Sequence, residues 1–203
     1  MLLVDAVTSM AGLPVETDEW KLDFVLTGSQ KALALPPGLA LAAHSERMLE
    51  RAKTVPERGG CLDLVAFADA AENHQPTNTP AISLLYALDA QLERIEANGG
   101  IEGRWSRHKE MLETVERWVD ERGKSLGLRY LPKSDCRSWT VSCLRLGGGQ
   151  SGRALRDMLA DRDWTIATGY GELKKTTIRI GHMGDHTVVG LQELLQALEE
   201  IIA

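Results

Sequence analysis

Short apolar runs separated by turn residues open the chain, and longer stretches with helical spacing follow. Residues 2–4, ending at Asp5, read as a strand with no turn or cap ahead of it, as if the chain began inside a sheet. Residues 22–26 predict a second strand running into Thr27-Gly28-Ser29, and residues 39–43 a third after Pro36-Pro37-Gly38. Short apolar strands of this kind suit a mostly parallel sheet buried on both faces. Ser45 followed by Glu46 marks a helix start, with the helix running to about Lys53. A Gly-rich stretch and a polar loop, residues 73–79, precede Pro80, which suits a first helical turn. Ile82, Leu85, Tyr86, Leu88, Leu92 and Ile95 then recur at helical spacing up to Asn98.

Gly99-Gly100 ends that helix, and a second amphipathic helix over 102–122 directs Trp105, Met111, Leu112, Val115 and Val119 towards a core. Beyond Gly123 the pattern alternates. Strands are predicted at 128–131, 140–146, near Thr165 and at 176–180, with helices at 152–161 and 188–202. That order describes an α+β unit, so the expected domains are residues 1–98 and 99–203.

Composition narrows the function classes. A chain of 203 residues, 43% hydrophobic and 26% charged, has the material for a real core. The net charge of -6 offers no field for phosphodiesters, which argues against a nucleic-acid partner. No apolar run approaches the roughly 20 residues that cross a bilayer, and no basic leader with a cleavage site opens the chain, so the expectation is a cytoplasmic protein off the membrane. Cys61, Cys136 and Cys143 lack metal-ligand spacing and read as reduced thiols, so no metal site is expected.

Asp5 closes one apolar strand and Lys31 follows the turn after the next, so both project from the edge of a sheet where open α/β folds bind ligands. An acid and a lysine at such an edge have a joint use in pyridoxal 5'-phosphate chemistry. The lysine forms an imine with the cofactor aldehyde, and the acid pairs with the ring nitrogen. Taken alone, a lysine after a turn is ordinarily a solvated surface residue.

Three stretches in register change that balance: Val4-Asp5-Ala6-Val7-Thr8-Ser9, then Gly28-Ser29-Gln30-Lys31-Ala32-Leu33 with Pro36-Pro37-Gly38, and Ile178-Arg179-Ile180-Gly181-His182-Met183-Gly184. A weaker fourth is Asn78-Thr79-Pro80-Ala81-Ile82-Ser83-Leu84. In these the chain resembles the class V aminotransferases of fold type I, especially the alanine-glyoxylate and serine-glyoxylate branch. The resemblance implies the C-terminal half of such an enzyme: part of a mostly parallel large-domain sheet, then an α+β small domain. It further implies that Asp5 pairs with the ring nitrogen, that Val7 packs on the ring, and that Lys31 forms the imine and shuttles the α-proton. Gln30 is implied as a phosphate donor. Asn78 and Thr79 are implied to reach the phosphate of a neighbouring subunit, so that a homodimer shares its active sites. Arg179 is implied to grip the substrate α-carboxylate through two parallel hydrogen bonds, which a planar guanidinium provides. Cysteine desulfurases, which resemble this fold, place a histidine where this chain has Gln30, so transamination between a small amino acid and a 2-oxo acid is the expected reaction.

The family also carries about as many residues again ahead of the strand that ends in Asp5, with a phosphate loop and an aromatic that stacks on the ring. The expectation is therefore an enzyme that works with a separate N-terminal half, or alternatively a non-catalytic fragment acting in dimerisation or interaction. His108 and His182 read as structural histidines.

Overall fold

The computed structural model describes residues 1–203. It divides into two compact units, one made of residues 1–10 and 15–94, the other of residues 11–14 and 95–203. In the first unit, β1 (Leu3–Asp5) and β2 (Phe24–Gly28) run parallel, pairing Leu3 with Phe24 and Asp5 with Leu26. β3 (Ala40–His44) pairs with β2 in the antiparallel sense, so this part of the expected mostly parallel sheet is mixed. The reason is the connection. A parallel return needs a crossover of a dozen or more residues, usually with a helix. The shorter segment between β2 and β3 instead folds back on Ser29, whose N–H donates to the Leu39 carbonyl (3.0 Å) and whose hydroxyl donates to the Pro36 carbonyl (2.7 Å).

β2 is pinned at its start by Asp23, a fully buried carboxylate. Arg47 Nε donates to its Oδ1 and an Arg47 terminal nitrogen to its Oδ2, each at 2.7 Å, while Ser45 Oγ and the Leu2 N–H donate as well. The Arg47 fork, first among these, holds the Asp23 carboxyl well below the usual carboxylate range. Ser45 also caps α1 (Glu46–Lys53) by accepting from the Met48 N–H, which meets the sequence expectation for that helix. A small core of Ala6, Leu22 and Val25 lies beneath the strands, with Val4, Met10 and Val15 against it.

α2 (Leu64–Glu72) falls in the stretch that the sequence marked only as Gly-rich, ahead of the polar loop at 73–79, and it buries none of its residues. Its signal is local: Asp63 caps it through the Val65 N–H, and alanines fill its length. α3 (Ile82–Ala97) forms as expected, yet Ile82, Leu85, Tyr86 and Leu92 of its apolar stripe are exposed. Asn78 does not cap it; the Asn78 amide donates to Thr77 Oγ1 instead.

The second unit is an antiparallel sheet in the order β4 (Leu128–Tyr130), β5 (Val141–Leu146), β7 (Thr177–Gly181), β6 (Ala167–Thr168). Its helices are α4 (Gly100–Trp118), extended by a π-helical turn over Val119–Gly123, α5 (Gly152–Ala160) and α6 (Val188–Ile202). Strand alternation sends Leu144, Ile178 and Ile180 into one core with Met111 and Val115 of α4, Leu155 and Leu159 of α5, and Leu194, Leu195 and Leu198 of α6. Gly152 lets α5 approach the sheet, because a Cβ there would stand 2.8 Å from the Thr177 carbonyl oxygen. Gly152→Ala is therefore expected to destabilise this unit by about 1–3 kcal/mol, as overpacking against a backbone does. A urea melt showing no shift of the midpoint would contradict that close approach. No helix in the chain is long and apolar enough to cross a membrane.

Candidate active site

The edge of the first unit's sheet is assembled from two turns. After Asp5 the chain bends at once: the Asp5 carboxylate accepts the Val7 N–H at 3.0 Å, and the Ser9 and Met10 N–H groups return to the Ala6 carbonyl. Thr27, buried at the end of β2, donates from Oγ1 to the Val7 carbonyl (3.3 Å) and so ties this bend to the second turn. Parallel pairing puts the carboxyl ends of β1 and β2 side by side, so Asp5, Val7 and the Gly28–Lys31 turn share one edge. This is the juxtaposition the sequence predicted.

The loop carrying Lys31 is closed on itself. Besides the two bonds to Leu39 and Pro36, Ser29 Oγ accepts the Leu39 N–H, the Ser29 carbonyl accepts the Leu35 N–H, and the Lys31 carbonyl accepts the Ala34 N–H. α3 buttresses it. The buried Gln91 amide donates to the Leu33 carbonyl at 3.0 Å, and Leu84 packs so closely on Gly38 that a Cβ there would meet its methyl at 2.6 Å. Ser29, Thr27 and Gln91 position the site without being visible as site residues in the sequence, since each acts through a backbone atom brought near only by folding.

At this edge the polar groups are left uncommitted. One Asp5 oxygen accepts no hydrogen bond from the chain, the Gln30 amide makes none, and the half-buried Lys31 has no acidic partner. The Gln30 side chain lies back over Gly28, where a Cβ would come within 2.6 Å of Gln30 Oε1. Because that atom is the tip of a flexible side chain, Gly28→Ala is expected to swing Gln30 away at little cost in stability. In an assembled enzyme it should weaken retention of a phosphate-bearing cofactor several-fold, measured as the dissociation constant by fluorescence quenching. An unchanged constant would show that the Gln30 orientation does not matter. Asn78 and Thr79 are exposed in the loop ahead of α3, and no hydrogen bond joins them to Asp5, Gln30 or Lys31.

In the second unit Arg179 lies half-buried in β7. Its Nε donates to the Thr168 carbonyl (2.9 Å), and its guanidinium stacks on the Tyr170 ring at 4.3 Å. Those two contacts fix the plane of the fork while its two terminal nitrogens remain without an acceptor in the chain. The buried histidines are engaged elsewhere. His108 Nε2 accepts the Gly184 N–H (3.1 Å), so its Nδ1 carries the proton and donates to the Arg104 carbonyl (2.7 Å). His182 Nε2 meets Ser142 Oγ, which meets the Tyr130 hydroxyl, each at 3.0 Å. Burial pushes both imidazoles down to about 4.

The residues present fit one flank of a pyridoxal phosphate: an acid for a ring nitrogen, an amine for an aldehyde and an amide beside a glycine for a phosphate. The fold is that of the fold-type I pyridoxal-phosphate aminotransferases, of whose length the chain spans about half. The class-V aminotransferase model matches residues 1–171, and the chain belongs to that family. A protein named soluble hydrogenase, small subunit, from Synechococcus sp. is 33% identical over all of this chain and 52% of its own length. The (S)-ureidoglycine–glyoxylate transaminase of Bacillus subtilis is 31% identical over 91% of this chain and 48% of its own. The crystal structure of alanine–glyoxylate aminotransferase from Nostoc sp. superposes with a TM-score of 0.90 at 27% identity, over all of this chain and 54% of that one. This chain thus spans about half the length of the curated relatives it matches, and their named activities differ.

Proposed function

We propose that this chain supplies the lysine, the ring-pairing acid and the carboxylate clamp of an aminotransferase that moves an amino group from a small amino acid, such as alanine, serine or aspartate, to a 2-oxo acid such as glyoxylate or pyruvate. The observation that carries the reading is the set of uncommitted groups, Asp5, Gln30 and Lys31, at one sheet edge of a chain in this family. Residues 1–98 would then be the cofactor-bearing large-domain portion and residues 99–203 the small domain. When bound, pyridoxal phosphate supplies an aldehyde and an electron-accepting ring.

The rest is the work of this chain's own side chains. Asp5, fixed by the Val7 N–H, presents its free oxygen to hold a proton at the ring nitrogen. Val7 packs on the ring face. Lys31 Nζ, in its neutral form, would hold the cofactor at its aldehyde carbon and, once freed by the substrate amine, would serve as the base for the substrate α-proton. The closed loop behind it keeps that amine in place through both steps. Gln30 donates to the phosphate, and Asn78 with Thr79 completes the phosphate site of a second subunit in a homodimer. Arg179 receives the α-carboxylate on its free fork, so the bond to the α-hydrogen keeps one orientation. The phosphate loop and the ring-stacking aromatic come from the N-terminal half of the family's fold, as part of the same polypeptide or as a separate one. The exposed Leu3 of β1, the exposed Leu2 just ahead of it and the exposed α3 stripe support an assembly that covers them.

The test is co-expression of this chain with the N-terminal half of a class-V aminotransferase, followed by purification of the pair. A visible absorbance that borohydride abolishes, with the cofactor then found on Lys31 by peptide mass analysis, is the expected result. Formation of a stable pair without that modification would leave the chain as an interaction module and sink the catalytic reading.

A further inference from the structure

Strand alternation gives the second unit's sheet a second face opposite the helix-covered one. On it β5 places Val141, Cys143 and Arg145, and β7 places Thr177, which is buried beneath the Gly171–Lys175 turn, and Arg179. The register sets Arg129 of β4 directly opposite Arg145, Arg145 opposite Thr177, and Cys143 opposite Arg179. Arg145 and Arg179 are therefore diagonal neighbours across two strands, a relation that separates residues by roughly 7–8 Å, within joint reach of two arginine side chains.

The strands of the unit supply no counterpart to this row of charge. The four strands contain Arg129, Arg145 and Arg179 and no aspartate or glutamate. Arg129 and Arg145 are exposed and make no ion pair, although like charges directly opposite across a ladder repel. The other arginines near the sheet contrast with them, since Arg137 is paired with Glu116 and Arg122 with Glu199. An arginine row with no internal acid is suited to an external anion, and Arg179 already defines where one carboxylate sits.

We propose that Arg145, reinforced by Arg129, is a specificity residue that binds a second anionic group on the substrate, so that the site favours short acids with a charge at each end. The proposal rests on the assignment of Arg179 as the α-carboxylate clamp. The guanidinium fork accepts a distal carboxylate or a phosphate monoester equally well in kind, so both are probed.

Binding can be measured on the 203-residue chain itself, because the three arginines belong to one unit. Succinate, O-phosphoserine and butyrate would be titrated by calorimetry at low ionic strength, with arginine Nε–H resonances followed in parallel. At least one of the two dianionic acids is expected to bind about tenfold or more tightly than butyrate, and the tighter of them names the second anion. Arg145→Ala should reduce that preference to about unity while leaving butyrate binding unchanged; Arg145→Lys should keep part of it, and Arg129→Ala should weaken it. Arg179→Lys should weaken all three ligands. Equal binding of the three acids by the parent chain, no binding of any, or a preference that survives Arg145→Ala overturns the proposal. If Arg179→Lys leaves every ligand unaffected while Arg145→Ala abolishes the preference, the fault lies instead with the Arg179 assignment.

Discussion

Replacing Lys31 by alanine should abolish transamination in an assembled enzyme, by at least about 10²-fold and up to the ~10⁴-fold that a positioned acid–base group contributes. The variant should still fold. Lys31 is half-buried and makes no ion pair, and the loop around it is held by backbone bonds and by Ser29, none of which uses the lysine side chain. Thermal midpoints of parent and variant are thus expected to agree, while turnover and borohydride-fixed cofactor disappear together. A variant that retains more than about a tenth of the parent's turnover would move the proton-transfer role to another group.

The second large effect concerns stability against acid. The folded state lowers His108 and His182 from their ordinary 6.5 to about 4, chiefly by burial. Between those values the unfolded chain binds protons that the folded chain refuses, so the free energy of unfolding falls as the pH falls from 6.5 towards 4. The slope is about 1.4 kcal/mol per pH unit for each histidine. Asp23 acts in a separate window. Its depressed carboxyl stabilises the fold above the ordinary 3.8, and that contribution is lost only as the pH falls below it. Urea unfolding at pH 7, 6 and 5, followed by tryptophan fluorescence in a Trp20→Phe background, reads the histidine effect, since the other four tryptophans, Trp105, Trp118, Trp139 and Trp164, lie in the same unit as both histidines. His182→Gln should roughly halve the slope. A flat stability profile between pH 7 and 5 would mean that the two imidazoles titrate normally in the folded chain.

How much of this was legible beforehand differs by element. α6 was read over its observed span from its 3.6-residue apolar period alone, and the structure adds the Thr187 cap at that start. α2 was not, because it buries nothing and leaves no periodic trace; only its Asp63 cap and alanine content mark it. The direction of β3 was hidden too. A short apolar run states that a strand exists but not which way it runs, and the Ser29 bonds that turn the chain back form between residues 7 and 10 positions apart. At the site, Asp5 and Lys31 stood out through motif order, whereas Gln91 could not, since it reaches the Lys31 loop from 58 residues away. The exposed stripe of α3 teaches a related lesson: spacing reveals a face, and says nothing of what lies on it.

The hydroxyl of Ser29 has one more consequence. By bonding to Pro36 and Leu39 it makes the lysine-bearing loop a closed circuit drawn entirely from residues of the first unit. The amine therefore needs no ligand to shape its surroundings, and arrival of the cofactor spends little entropy on ordering the chain around it. Apo and loaded forms should give the same slow hydrogen exchange at the Leu35 and Leu39 amides, a rigid socket waiting in advance of its occupant.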